Sequence, residues 1–179
     1  MSERQVALIR GINVGRAKRV AMADLRALVE SLGHRDVRTL LNSGNVVYTA
    51  DGTPPNQVAA AIEEGLASRI GVPARVIALS ARQLERVVAE NTLRDVATDP
   101  SRMMVAFLAT PADRKKLDPL LKQDWAPDRL AVGTHAAYLW CPNSILDSPL
   151  MTAAGKALGD ATTIRNWATV LKVRAALGE

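Results

Sequence analysis

The order of apolar segments in the first eighty residues is the feature that most restricts the fold of this chain. Four short stretches have the length and composition of strands: Gln5–Arg10, Val37–Leu41, Asn45–Thr49 and Ala74–Ala78. In the two longer intervals between them, apolar residues recur every three or four positions, which is typical of amphipathic helices. The predicted order is therefore strand, helix, strand, strand, helix, strand.

Glycine and proline mark the ends of these segments. The first helix is predicted from Met22 to Leu32 with Gly33 at its C-terminal end. The second is predicted to be capped by Pro54-Pro55-Asn56 and to run to Ile70, with Gly71 just beyond. The middle two strands form a hairpin. This order is the split βαβ pattern of a ferredoxin-like fold, in which both helices cover one face of an antiparallel sheet.

The C-terminal half repeats this order incompletely. We expect strand, helix, strand, strand and helix, followed by a helix capped by Thr162 or Thr163 in place of the final strand. Ser80 and Gln83 match a capping box that opens a helix before this half. The predicted fold class is α+β with two ferredoxin-like units, the second degenerate and ending in a helix. Three segments are predicted: a ferredoxin-like unit at 1–79, a helix and linker at 80–102, and the degenerate unit with C-terminal helices at 103–179.

Cysteine content and hydropathy indicate the cellular compartment of the protein. The 179 residues include one cysteine, Cys141, so no internal disulfide can form, which suits a reducing environment. The apolar segment at the N-terminus is too short for a secretory signal, and no run approaches the roughly 20 apolar residues of a membrane span. We therefore expect a cytoplasmic protein without membrane contact.

The charge pattern favours an acidic partner without requiring one. The net charge of +5 comes mostly from arginine, whose planar group binds phosphate or carboxylate through two parallel hydrogen bonds. A modest positive charge also serves solubility alone. Aromatic residues make up 3% of the chain, which disfavours a base-stacking platform for single-stranded nucleic acid.

The candidate site consists of the loop after the first strand and the turn after the second. In the predicted topology both strands run the same way, so loop and turn emerge at one end of the sheet, and residues 71–73 reach that end too. Glycine-flanked turns expose backbone N–H groups that bind anions, and cations add charge around them. The predicted ligand-binding residues of these two turns are Arg10, Gly11, Asn13, Gly15, Arg16, Lys18, Arg19, Asn42, Ser43, Gly44 and Asn45.

The same residues have a purely structural interpretation. The glycines can simply permit the turns, the asparagines can bond to backbone groups, and the cations can be solvated. A second candidate for anion binding is the start of the predicted last helix, where Arg165 and Asn166 lie. The glycine spacing of the loop matches neither the dinucleotide fingerprint nor a Walker loop.

Other chemistry has little support in the sequence. His34 and His135 are single residues in predicted turns, so we expect both to be exposed and to bind no metal. Cys141 at a strand end is predicted to be an inert buried thiol. No cofactor is predicted, and no residue is assigned as catalytic.

Six motifs together resemble the bacterial domain-of-unknown-function family 1697. They are Leu8–Gly15, Met22–Arg26, Asn42–Val47, Tyr138–Trp140, Ser148–Leu150 and Thr163–Lys172. The resemblance implies an α+β arrangement of two ferredoxin-like units. Members commonly continue the first motif with glycine, lysine, asparagine and lysine, where this chain has residues 16–19 as Arg, Ala, Lys and Arg. The loop keeps its basic character, although its basic residues stand at other positions than in the family pattern. This favours a nonspecific cationic rim over a catalytic lysine.

Three functions compete at this point. The leading hypothesis is a small binding protein for an anionic ligand: a phosphorylated metabolite, a nucleotide or a nucleic acid. The second is an enzyme acting on a phosphorylated substrate, with a water oriented by Asn13, Asn42, Asn45 or Asp24. The third is a protein–protein interaction module.

Overall fold

The computed structural model describes residues 1–179, which divide into two compact units. Unit 1 comprises residues 1–84 and 173–179, and unit 2 comprises residues 85–172. The C-terminal residues join unit 1 because Arg4 Nη2 donates to the Ala176 carbonyl at 3.1 Å and Arg38 pairs with Glu179. This division differs from the predicted one, which kept the C-terminus with the second half of the chain.

Unit 1 contains a four-stranded antiparallel sheet in the order β2-β3-β1-β4. Its elements are β1 Ser2–Ile9, α1 Met22–Ser31, β2 Arg35–Leu40, β3 Asn45–Asp51, α2 Pro55–Gly65, a π-helical turn Leu66–Ile70 and β4 Val76–Ser80. The predicted succession of strands and helices is therefore present in this half of the chain.

The core of unit 1 forms where its two helices pack on one face of the sheet. Ala7 and Ile9, which alternate along β1, contact the same apolar cluster as Leu25 of α1 and Ile62 of α2, and all four are fully buried. Burying a leucine or isoleucine side chain contributes about 1.5–3 kcal/mol, and the alanine methyl contributes less. These helices therefore owe their stability chiefly to packing against the sheet.

The helix ends of unit 1 follow local chemistry closely. Pro54 lies at the N-cap of α2 and Pro55 at its first position, where a proline ring fits and its missing N–H costs nothing. The helix therefore begins within Pro54-Pro55-Asn56, as predicted. Gly71 ends the π-helical turn with φ +80°, which glycine adopts without strain.

Unit 2 contains a second antiparallel sheet in the order β6-β7-β5-β8. The elements from residue 81 onward are α3 Ala81–Ala89, β5 Met103–Leu108, a 3₁₀ helix Pro111–Leu117, α4 Asp118–Leu121, β6 Arg129–Val132, β7 Ala136–Trp140, α5 Pro149–Leu158, β8 Thr162–Asn166 and α6 Trp167–Leu177. Helices α3 and α6 each cross a boundary between the units. The capping box before α3 is present, with Ser80 and Gln83 bonded reciprocally.

The prediction that a helix replaces the last strand of the second half is wrong. Residues Thr162–Asn166 form β8, which pairs with β5 from Leu108 opposite Thr162 to Met104 opposite Asn166. β-Branched residues at 162–164 favour this extended conformation. The helix begins at Trp167, and the Asn166 side chain, rather than a threonine, accepts the Thr169 N–H at 2.9 Å as its cap.

His34 is buried, contrary to the prediction that it is exposed. It is 8% exposed, and its ring lies 5.1 Å from that of Tyr48. Burial is the main cause that lowers the pKa of His34, although Asp51 opposes this shift. His135 is half-buried, and burial lowers its pKa too. None of the helices combines the length and the apolar character that a membrane-spanning segment needs.

Candidate functional site

The loop after β1 and the turn after β2 meet at one end of the unit 1 sheet. The Ile9 N–H donates to the Gly44 carbonyl at 2.9 Å, and the Arg10 N–H donates to the Arg75 carbonyl at 2.9 Å. The Asn13 side chain donates to the Asn42 carbonyl at 2.9 Å. The turns that the sequence places at a common end of the sheet are therefore in direct contact, together with the segment before β4.

Asn13 holds the loop in shape. Its Nδ2 donates to the carbonyls of Val20 and Asn42, and its Oδ1 accepts the Val20 N–H, all at 2.9 Å. Its own N–H donates to the Lys18 carbonyl at 3.0 Å, which closes the loop on itself. Both amide donors of the side chain are thus used internally, and Asn13 braces the loop.

Gly44 allows the turn to approach the loop closely. Its φ is +86°, and a Cβ at this position would lie 2.9 Å from Ile12 Cδ1 and 3.0 Å from Ile9 Cβ. Ile12 fills this contact and is 2% exposed. Gly11 and Gly15 also have positive φ, +67° and +63°, but a Cβ there would meet open space. Only Gly44 is required by packing as well as by its backbone angle.

The remaining turn residues divide into inward and outward groups. Asn45 is fully buried, and its Nδ2 donates to the Leu40 carbonyl and to Ser43 Oγ, each at 3.0 Å. It therefore stabilises the turn from inside. Asn42 and Ser43 are exposed. Of the predicted asparagines, only Asn42 presents its side chain at the surface of the turn.

Three cations of the loop are exposed and make no side-chain hydrogen bond or ion pair: Arg16, Lys18 and Arg19. We call them the cationic rim. Neither residues 10–20 nor residues 41–45 include an aspartate or glutamate, so no nearby acid in these turns neutralises them. The rim is thus a local concentration of positive charge on a braced backbone.

Arg10 differs from the three rim cations. It is half-buried where β1 ends, and its main chain is tied to the segment before β4. At this end Arg75 lies 3.8 Å from the Glu63 carboxylate, which also accepts the Val76 N–H at 2.7 Å. The Glu63 carboxylate therefore binds the segment before β4, whereas no internal carboxylate binds the rim cations.

The second predicted site lies where β8 ends and α6 begins. Arg165 lies on β8 and is 9% exposed, and its Nη1 donates to Thr163 Oγ1 and to the Ile164 carbonyl, each at 2.9 Å. Burial lowers the pKa of Arg165 to about 10. Asn166 is the cap of α6. Both belong to unit 2.

A buried polar chain in unit 2 was not foreseen from the sequence. Ser148 Oγ donates to Asp128 Oδ2 at 2.6 Å and accepts the Met151 N–H at 3.0 Å as the cap of α5, and the Cys141 thiol donates to it at 3.5 Å. Burial raises the pKa of Cys141, as an inert thiol requires. The start of α5 was visible in the sequence, but the distant partner Asp128 had no local signal.

Comparison with known proteins gives a family and a fold. A family model described as "Protein of unknown function (DUF1697)" matches residues 2–138. A conserved bacterial protein from Streptococcus pneumoniae has the same fold, with a TM-score of 0.81 and 24% identity over 99% of each chain. A candidate chlorite dismutase is 15% identical over 98% of this chain and 99% of its own, but its TM-score of 0.24 supports no argument. No functionally curated protein matches the chain in sequence.

Proposed function

We propose that this chain, which belongs to the DUF1697 family of proteins of unknown function, is a small cytoplasmic protein that binds a phosphorylated or otherwise anionic ligand at the cationic rim. We also interpret its two sheet-containing units as ferredoxin-like, because both have the strand order of that fold. The observation that carries the proposal is the group of three exposed cations without an internal carboxylate partner.

The brace beneath the rim supports binding rather than simple solubility. Binding costs free energy when a loop must become ordered, and a loop that is already held in shape avoids part of that cost. The hydrogen bonds of Asn13 and the packing of Gly44 against Ile12 hold this loop. The rim arginines can each offer two parallel donors to a phosphate.

The structure reduces the number of ligand contacts that we propose. Asn13 and Asn45 use their amides internally, and Gly44 is covered by Ile12, so these residues frame the site. The proposed contacts are Arg16, Lys18 and Arg19, with Asn42 at the edge of the turn. A nucleotide or phosphorylated metabolite would place its phosphate against these groups.

Base stacking does not contribute to this proposal. RNA-recognition domains with the same strand order stack bases on aromatic residues of their central strands. Here Tyr48 is the aromatic residue of β3, and it is fully buried, with its hydroxyl donating to Gln5 Oε1 at 3.0 Å. A nucleic acid would therefore be held through its phosphates alone, with an affinity that falls steeply with salt.

The proposal is tested by ligand screening followed by charge removal. A thermal-shift screen with nucleoside triphosphates, sugar phosphates and pyrophosphate identifies the ligand, because a molecule that binds only the folded chain raises Tm. The double variant Arg16→Ala/Arg19→Ala should then bind the best hit about 100-fold more weakly, since two charge-assisted contacts of about 1.5 kcal/mol are lost. Its Tm without ligand should match that of the original chain.

Arg82→Ala is the matched control, because Arg82 is an exposed cation of unit 1 outside the loop. It should leave the affinity unchanged. Equal affinity of the double variant and the original chain would show that the rim is not the site. Binding of RNA and DNA oligonucleotides is measured as well, at two salt concentrations, to distinguish nucleic acid from small ligands. A nucleic-acid ligand is excluded if neither oligonucleotide binds, or if salt leaves their affinity unchanged.

A further inference from the structure

Unit 1 has a cleft between its helices that contains none of the loop residues. Its volume is about 370 Å³, and it is lined by Asp24, Ala27 and Leu28 of α1 and by Arg69 and Ile70 of the π-helical turn. Sites for small molecules usually have volumes of about 300–1,000 Å³. The cleft is therefore large enough for a small metabolite.

Two opposite charges line this cleft without neutralising each other. Arg69 and Asp24 form no ion pair, and the Asp24 carboxylate accepts no side-chain or backbone hydrogen bond. Arg69 donates once, from Nη1 to Ser31 Oγ at 2.5 Å, so most of its five N–H donors remain available. A cationic and an anionic group thus face one cavity with unused bonding capacity.

A hydrogen bond to Ser31 holds the Arg69 side chain in position. Ser31 Oγ, which accepts from Arg69, donates its own hydrogen to the Leu28 carbonyl at 2.6 Å. Arg69 belongs to a π-helical turn, and such turns are frequent at functional sites. A Cβ on Gly65, just before this turn, would lie 2.3 Å from Leu28 Cδ1, so the two helices meet closely beside the cleft.

We propose that this cleft binds a small zwitterion with an apolar side chain, of the kind represented by an aliphatic α-amino acid. Its carboxylate pairs with the Arg69 guanidinium, and its ammonium pairs with the Asp24 carboxylate. The aliphatic part lies against Ala27 and Ile70, which supply the accessible apolar surface, since Leu28 is only 2% exposed. Opposed charges select a zwitterion over a simple anion, because an anion alone would leave Asp24 repelling it.

The test uses L-leucine as the probe, followed by amide chemical shifts of the full chain. We expect saturable shifts at Ala27, Leu28 and Ile70. The carboxylate analogue 4-methylpentanoate and the amine analogue 3-methylbutylamine should each bind at least about tenfold more weakly, since each lacks one ion pair. Arg69→Gln and Asp24→Asn should each weaken L-leucine binding by at least about tenfold.

Arg26→Gln is the matched control, because Arg26 is an exposed cation of α1 that does not line the cleft. It should bind L-leucine like the original chain, as should the Arg16→Ala/Arg19→Ala variant, so this test is independent of the anion-binding proposal. The zwitterion site is overturned if L-leucine gives no saturable shifts at the cleft. It is equally overturned if the analogues bind as tightly as L-leucine, or if both Arg69→Gln and Asp24→Asn leave its affinity unchanged.

Discussion

The two units have the same strand order but differ in the connection after their first strand. In unit 1, residues 10–21 separate β1 from α1 and carry the cationic rim. In unit 2, only residues 109–110 separate β5 from the 3₁₀ helix that follows. Thr110 caps that helix, and its N–H and side chain both bond to Asp113. A short connection is thus closed by a local capping box.

The longer connection of unit 1 needs support from elsewhere in the chain. Asn13 reaches across to Asn42, and Gly44 makes room for Ile12. The same strand order therefore presents a braced, charged loop in one unit and a plain helix start in the other. The connections therefore distinguish the two units more than the sheets do, since one topology supports both arrangements.

The largest effect should come from filling the contact between turn and loop in unit 1. Gly44→Ala forces a Cβ against Ile12 and Ile9 at φ +86°, and we expect a loss of about 3 kcal/mol from overpacking and backbone strain. Gly15→Ala meets open space at φ +63°, so it should cost only about 1 kcal/mol. Urea denaturation followed by circular dichroism measures both.

Two further probes follow the unfolding of each unit separately in these variants. All three tryptophans, Trp125, Trp140 and Trp167, belong to unit 2, so tryptophan fluorescence reports the unfolding of that unit. Amide hydrogen exchange at β1 and β3 reports unit 1 directly. Equal costs for Gly44→Ala and Gly15→Ala would contradict the role of packing at the turn.

A smaller effect is expected from the two buried tyrosines, one in the corresponding strand of each unit. The Tyr48 hydroxyl on β3 donates to Gln5 Oε1 at 3.0 Å, and that of Tyr138 on β7 donates to the Val87 carbonyl at 2.6 Å. Replacement by phenylalanine leaves a buried acceptor without its donor, which costs about 1–3 kcal/mol. We expect Tyr138→Phe to cost more, because its hydrogen bond to the Val87 carbonyl is shorter, 2.6 Å against 3.0 Å for that of Tyr48.

Urea denaturation of the two single variants and the double variant measures this difference. The costs should add, since the tyrosines belong to different units and share no partner. A Tyr48→Phe variant that is less stable than Tyr138→Phe would reverse the expected order.

The smallest effect concerns pH and also has one residue in each unit. Burial is the main cause that lowers the pKa of His34 and of His135 below 6.5, opposed by Asp51 for the first and by Glu90 for the second. Between the lowered pKa and 6.5 the unfolded chain binds more protons, so the free energy of unfolding should fall as pH decreases through this window. His34→Gln and His135→Gln should each reduce that slope.

Proton NMR titration of the two imidazole rings checks the sign directly. Both midpoints should lie below 6.5, and urea denaturation at several pH values gives the slope. A midpoint above that value for either ring would contradict the effect of burial at that site.

The signals that predicted unit 1 correctly are local ones. Gly33 and Gly71 end their helices, and Ser80 and Gln83 bond as the capping-box template requires. The strand β8 was missed because the apolar residues from Ile164 onward fit a helical period, and the helix was extended back over them. Pairing with β5 fixes these residues as a strand, and a pairing partner more than fifty residues away leaves no local trace.

In the candidate site, too, some features were predictable from the sequence and others were not. Topology alone predicted that the loop and the turn meet, and the hydrogen bond from Ile9 to Gly44 joins them. Composition could not tell which polar residues point inward: Asn13 and Asn45 brace the turns, whereas Arg16 and Arg19 are exposed. The direction of a side chain depends on the backbone angles and neighbours that the folded chain provides.

By itself, the sequence determined the strands and helices of unit 1, the family to which the chain belongs, and the concentration of cations after the first strand. These properties follow from residue type, spacing and short-range backbone preference. Only the tertiary structure decided the strand pairing of β8, the brace formed by Asn13, and the presence of Arg69 and Asp24 in the lining of one cleft. Each of these joins residues distant in the chain, and such contacts are set by how complete elements pack rather than by local preference.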